Sequence, residues 1–290
     1  MDVVSATRED DAVHLERSTL FQGAAEAILP ALPDSWFRTC VTSPPYWGLR
    51  DYAEENQIGA EPDPTLYVER LTAIFHDVWR VLRDDGTLWL NLGDSYTSGN
   101  RATRAPDKKN PFRAMSYRAR TPKGMKPKDL VGIPWMVAFA LREAGWYFRS
   151  DIIWEKPNCM PESVKDRPTR SHEYLFLFTK SLRYHYDGSK ARVNGRNRRT
   201  VWSVPTEPFA GAHFATFPPT LIEPCILTGS IPGDWVLDPF FGSGTVGVVC
   251  EQQSRRYVGI ELNREYAELA AKRIRSTQRT LFTLDYDTAQ

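Results

Sequence analysis

The chain has 290 residues, 41% of them apolar and 12% aromatic, enough to bury a full core in one large domain. Its formal net charge is +1, and Cys40, Cys159, Cys225 and Cys250 lie far apart with no C-x-x-C pair, which argues against a zinc site or a disulfide framework and fits a reducing cytosol. No apolar run approaches the roughly 18 residues of a membrane span, and the opening MDVVSATREDDAVHLERS has acidic pairs where a signal peptide has a basic start, so a soluble cytoplasmic protein without metal is expected.

In chain order, residues 1–17 read as a polar extension. The first strand expected from β-branched content is RTCVTS, and it runs straight into the corner SPPYW, with Ser43, Pro44, Pro45 and Tyr46. A helix is predicted from Thr65 to Arg83, where Val68, Leu71, Phe75, Val78 and Leu82 recur at three- and four-residue spacing behind Asp63 as N-cap. The strand TLWLNL follows. Residues 98–130 then show neither helical nor strand period and hold ten Lys/Arg against two Asp/Glu, an excess of eight that leaves the rest of the chain net negative. Such segregation suits a surface that meets a polyanion. Beyond it come a helix in PWMVAFALREAG, ended by Gly145, and the strands YFRSDIIWE and EYLFLFT. The helix PPTLIEPCILTG, the strand DWVLDPF, the strand RYVGIEL and the helix NREYAELAAKRIRS, capped by Asn263, complete the chain. This alternation implies an α/β fold with a mainly parallel, doubly wound sheet covered on both faces.

Chemistry concentrates in DWVLDPFFGSGTVGVVCEQQSRRYVGIEL, a strand, a glycine loop, a helix and a second strand ending in Glu261. Gly242 and Gly244 let backbone approach a ligand where a Cβ would clash, the helix start offers free N–H groups, and Glu261 is placed for ribose hydroxyls. With Gly247 the loop satisfies G-x-G-x-x-G, which leaves a dinucleotide site and an S-adenosylmethionine site both open. Asp238 separates them: a carboxylate at the loop entrance repels a pyrophosphate and attracts an α-ammonium group.

The paired motifs SPPYW at 43–47 and FFGSG at 240–244, in that order, resemble the amino-group DNA methyltransferases of the cytosine-N4 type, in the circularly permuted β arrangement. The resemblance extends over nearly the whole chain, through STLFQGAAEAILPALPDS, DGTLWLNLGDS, DIIWEKPN, RPTRSHEYLFLFTK and HFATFPPTLIEPCI. It implies a single methyltransferase domain over 18–285, with a catalytic half at 18–182, a short target-recognition segment at 183–210 and a cofactor half at 211–285. Implied for S-adenosylmethionine are Asp238, Pro239, Phe240, Gly242, Ser243, Gly244, Thr245, Glu261, Thr216, Phe217 and Gln22. It also implies a prokaryotic or phage origin, a homodimer, and a cognate restriction endonuclease on a separate chain. One departure stands out: the family's entry segment commonly reads G-D, whereas Gly23 is followed here by Ala24 and Ala25, which leaves two alternatives, that Gln22 or backbone replaces the usual contact to the cofactor's adenine or that cofactor affinity is weaker.

A cytosine amino nitrogen is a poor nucleophile because its lone pair is delocalised into the ring. Acceptors aimed at its N–H bonds turn the lone pair out of conjugation, and Ser43 Oγ with the Pro44 carbonyl are the candidates, while Pro44 and Pro45 stiffen the backbone and Tyr46 offers a stacking face. The base must be flipped out of the duplex, and stacking compensates by about 1 to 3 kcal/mol. The resemblance implies direct transfer without a covalent enzyme intermediate, and Cys40 is read as a strand residue and His172 as structural. In double-stranded DNA, Arg101, Arg104, Lys108, Lys109, Arg113 and Arg118, together with Arg192, Arg196, Arg198 and Arg199, are candidates for phosphate or guanine contact. Three rival readings remain: an adenine-N6 methyltransferase, a nicotinamide oxidoreductase, and a non-catalytic DNA-binding relative.

Overall fold

A computed structural model describes residues 3–5, 18–48, 57–97, 121–159, 161–207 and 217–288. One nine-stranded sheet organises them. Its strands are β1 (Val3–Ser5), β2 (Thr19–Gln22), β3 (Phe37–Thr42), β4 (Leu82–Leu92), β5 (Tyr147–Glu155), β6 (His172–Thr179), β7 (Val201–Ser203), β8 (Trp235–Asp238) and β9 (Arg256–Glu261), in the spatial order β1-β2-β9-β8-β3-β4-β6-β5-β7. Every pairing is parallel except those made by β6, which runs against both β4 and β5.

Helices cover both faces. On one lie α1 (Ala25–Ile28), α2 (Pro64–Val81) and α3 (Ile133–Glu143), packed with Leu88, Leu90, Leu92, Phe176 and Phe178. Against the other lie α4 (Pro219–Gly229), α5 (Thr245–Gln252) and α6 (Arg264–Thr288), with Trp89, Leu175 and Leu177. Adjacent residues of β4 and of β6 thus enter opposite cores, as the two-residue period of a strand requires. The near-continuous apolar runs of these strands follow from burial on both sides.

Sequence and structure part at a few boundaries. Helix α2 begins at Pro64, with Asp63 accepting from the Thr65 N–H at 2.7 Å, but it stops at Val81 and β4 starts at once, because Leu82 is already extended. The strand expected from residue 87 therefore begins five residues earlier. Gly145 adopts φ +105 beyond α3, and Asn263 Oδ1 accepts from Tyr266 N–H at 3.2 Å, so both expected helix punctuations are present. Three of the four cysteines are core residues; Cys159 is half-buried.

The topology fixes where a ligand can sit. From β3 the chain runs through α2 to β4 on one side; from β8, its neighbour, it runs through α5 to β9 on the other. At such a switch point the two connections diverge and leave a crevice outside the carboxyl ends of the strands. Ser43 follows the end of β3 and Pro239 the end of β8.

Candidate active site

The two sequence motifs, far apart in the chain, meet at this crevice. Thr42, the last residue of β3, donates its hydroxyl to Asp238 Oδ1 at 2.6 Å across the strand pair. Phe240 N–H reaches the same oxygen at 3.1 Å. Asp238 is only 1% exposed, and burial, opposed by these two hydrogen bonds and aided by the Glu261 charge, pushes its pKa up to about 7. A hydroxyl and an amide hold this carboxylate, and neither is charged.

After Asp238 the glycine loop turns with Gly242 at φ +51 and Gly244 at φ +77. A Cβ on Gly244 would lie 2.9 Å from the Ala270 Cβ, whereas one on Gly242 would meet nothing nearer than 4.0 Å. Gly244 is thus needed for packing against α6, and Gly242 leaves space at the loop's outer side. Glu261 is aimed by backbone: Gly242 N–H donates to Oε2 at 2.7 Å and Asn263 N–H to Oε1 at 2.8 Å. Gln22, at the end of β2, donates through Nε2 to the Leu262 carbonyl at 3.1 Å. From α6, Arg273 reaches the Ser243 carbonyl, the Ser243 hydroxyl and Thr245 Oγ1 at 3.2, 3.1 and 2.9 Å and so ties the loop down. Phe240 is half-buried within the loop, and Phe217 is half-buried against the core that contains Phe241. Thr216 lies outside the described residues.

On the other side of the crevice, Pro44 is buried and Ser43, Pro45 and Tyr46 are half-buried. The Pro45 carbonyl accepts from the Tyr67 hydroxyl of α2 at 2.9 Å, and Trp47, 4% exposed, donates to the Glu61 carbonyl at 2.8 Å. These contacts fasten the corner from below. Ser43 Oγ donates to the Tyr46 hydroxyl at 3.3 Å, and that hydroxyl lies 3.0 Å from Asn91 Oδ1 of β4 and 2.7 Å from Glu173 Oε2 of β6. Lys156, just past the end of β5, pairs with the other Glu173 oxygen. The Tyr46 ring lies against Gly93, where a Cβ would come within 2.5 Å of it.

Cys40 is fully buried in β3, and burial, then the nearby Asp238 charge, raises its thiol pKa well above the usual value, so it supplies no thiolate. His172 packs edge-on to Tyr174 at 5.4 Å, and burial, then the Arg170 charge, lowers its pKa. Among the expected DNA contacts, Arg192, Arg196 and Arg199 are exposed, whereas the Arg198 guanidinium stacks over Trp202 at 4.1 Å. They precede the edge strand β7, and the Thr200 carbonyl accepts from Ile153 N–H near the carboxyl end of β5. Arg101, Arg104, Lys108, Lys109, Arg113 and Arg118 lie outside the described residues. Glu173, Asn91, Lys156, Gly93 and Arg273 were not singled out from sequence. Only Asn91, a polar residue inside an apolar strand, carried a signal that would have found it.

The fold is that of the α/β methyltransferases dependent on S-adenosylmethionine. The profile of the N6/N4 family, described as DNA methylase, matches residues 37–272, and the chain belongs to that family. It is 62% identical over 276 residues to the type II methyltransferase M.Cfr9I of Citrobacter freundii, covering 93% of this chain and 92% of that one. The PvuII DNA methyltransferase, a cytosine-N4-specific enzyme, shares the fold with a TM-score of 0.69 at 20% identity, over 91% of this chain and 92% of that one. A DNA modification methylase of Thermus thermophilus, solved with S-adenosyl-L-methionine, superposes with a TM-score of 0.65 at 25% identity, covering 89% of this chain and 93% of that one. Among the described residues no helix is long and apolar enough to cross a membrane, and no cluster of metal-binding side chains occurs.

Proposed function

We propose that this DNA methylase is site-specific and transfers a methyl group from S-adenosylmethionine to the exocyclic N4 amino group of a cytosine flipped out of double-stranded DNA. The observation that carries the reading is the Thr42–Asp238 bond, which brings the Ser-Pro-Pro-Tyr corner and the glycine loop to one crevice.

The residues fit the cofactor. A buried carboxylate with uncharged partners, Asp238, awaits a cation such as an α-ammonium group, and Glu261, aimed by two backbone N–H groups, retains acceptor capacity for ribose hydroxyls. Pro239, Phe240, Gly242, Ser243, Gly244 and Thr245 form the rest of the cradle with Gln22, and Phe217 and Thr216 are further cofactor contacts that the family resemblance implies. Bound there, S-adenosylmethionine supplies an electrophilic methyl group on sulfonium sulfur. Ser43 Oγ and the Pro44 carbonyl accept from the amino N–H bonds and localise the nitrogen lone pair, and Tyr46 stacks on the base. The short reach of a serine suits the smaller cytosine ring. Transfer is direct, because buried Cys40 offers no nucleophile.

Association with DNA draws on the basic stretch 98–130 and on exposed Arg192, Arg196 and Arg199. The recognition segment is short, which favours a homodimer reading a short site, with the cognate endonuclease a separate chain. Sequencing of modified bases in genomic DNA from a host expressing the chain is expected to find N4-methylcytosine at one short motif. Modification of adenine N6 instead would overturn the base assignment and leave the family untouched.

A further inference from the structure

Tyr46 is held in a way that stacking on a base does not require. Its one hydroxyl hydrogen faces two acceptors, Asn91 Oδ1 at 3.0 Å and Glu173 Oε2 at 2.7 Å. The orientation of the Asn91 amide is fixed, because its Nδ2 donates to the Tyr174 carbonyl at 3.0 Å. One hydrogen cannot serve both. Add one proton at Glu173 and each of these contacts has its own hydrogen: Glu173 donates to Tyr46 Oη, Tyr46 donates to Asn91, and Ser43 donates to Tyr46 Oη at 3.3 Å. The network is therefore built to hold one proton more than an ionised Glu173 gives it.

We propose that Glu173 is the terminal proton acceptor of the methyl transfer, reached from the target amino group through Ser43 and Tyr46. The inference rests on the cytosine-N4 reading above. As the N–C bond forms and the S–C bond breaks, its electron pair returning to sulfur, the nitrogen holds one proton too many. That proton passes to Ser43 Oγ, the Ser43 proton to Tyr46 Oη, and the Tyr46 proton to Glu173 Oε2. Ser43 and Tyr46 end as they began, and Glu173 ends neutral. Lys156 is paired with Glu173 Oε1 and lies 4.1 Å over the Trp154 ring, so a cation stands beside the carboxylate at the end of the relay. Charged or titratable groups nearby among the described residues include His172, Tyr174, Arg170, and Asp94, which lies 3.6 Å from Arg170. Glu173 and Lys156 are half-buried, with side chains 17% and 16% exposed.

Glu173 does not touch the base; it acts through Tyr46, and its test must separate proton transfer from structure. Single-turnover methylation of a duplex containing the target site is measured with Glu173→Gln, Glu173→Asp, Tyr46→Phe and the Glu173→Gln/Tyr46→Phe pair. Expected for Glu173→Gln is a loss of about 100-fold in rate, the low end of general-base contributions, with DNA and cofactor dissociation constants within about twofold of wild type. Its residual rate should climb with pH between about pH 6 and about pH 9 as solvent base takes the proton, while wild type stays flat. Glu173→Asp should recover part of the rate, and the double variant should be no slower than the slower single one, as for groups acting in series. His172→Gln should keep the wild-type profile. A Glu173→Gln rate within about twofold of wild type with the same pH profile, or a profile that moves with His172 instead, overturns the relay. A wild type that labels no cytosine contradicts the reading beneath it.

Discussion

The two walls of the crevice are built by different means. On the glycine-loop wall, Glu261 and Asp238 are aimed mostly by backbone N–H groups 2 to 19 residues away, and Gly244 is fixed by contact with α6. On the corner wall, two prolines stiffen the backbone, but the Tyr46 hydroxyl, to which Ser43 donates, is aimed by side chains from other strands, Asn91 at 45 residues and Glu173 at 127. One wall is aimed mainly by nearby backbone, with Thr42 of β3 its long-range side-chain partner, and the other mainly by side chains from distant strands. Substitutions in the first should therefore change cofactor affinity or stability, and substitutions in the second should change rate with little change in binding.

The largest expected effect is on the corner. Ser43→Ala removes a preorganised acceptor of about 1.4 to 4 kcal/mol, so turnover should fall roughly 10- to 1000-fold while cofactor affinity, by titration calorimetry, stays within about twofold. A matching loss of affinity would erase the division between the walls. The same division predicts the converse for Asp238→Ala, where leaving a charged hydrogen-bonding group unmatched should weaken S-adenosylmethionine by about 1 to 3 kcal/mol.

Asp238 also sharpens the comparison through pH. With its pKa pushed up to about 7, the carboxyl is protonated below that pH in the ligand-free protein, whereas a bound ammonium group requires the anion. Cofactor binding below about pH 7 should release a proton, and affinity should rise with pH and then level off. Calorimetry at about pH 6 in buffers of different ionisation enthalpy measures this. The shift has the opposite sign for folding: an acid raised from 3.8 to about 7 favours the folded state at low pH and loses that contribution as pH climbs between the two values.

Within the loop the expected effects fall on stability rather than on rate. Gly244→Ala combines a left-handed backbone with a clash at Ala270, which together should cost about 2 to 4 kcal/mol by denaturant melts. Gly242→Ala, with open space around it, should cost only about 1 to 2 kcal/mol. Equal losses would mean that conformation, and not packing against α6, sets the requirement at Gly244.

The same asymmetry explains what could be read from sequence. The glycine loop, Asp238, Glu261 and the Ser-Pro-Pro-Tyr corner are contiguous signals, and the apolar strands read clearly because each is buried on both faces. The immediate passage from α2 into β4 at Leu82 did not, since helical spacing continues past the point where the backbone extends. The three-residue β7 is too short to carry a period. Glu173 and Lys156 look like ordinary solvent-facing charges at strand ends, and only the antiparallel insertion of β6 between β4 and β5 brings them to Tyr46.

The most direct test of the account is the identity of the methylated base. The protein is incubated with genomic DNA and S-adenosylmethionine labelled in its methyl group, and the DNA is digested to nucleosides and separated. Label in N4-methyldeoxycytidine, sharply reduced for Ser43→Ala and Tyr46→Ala, is the predicted result. Label in N6-methyldeoxyadenosine or 5-methyldeoxycytidine would contradict it.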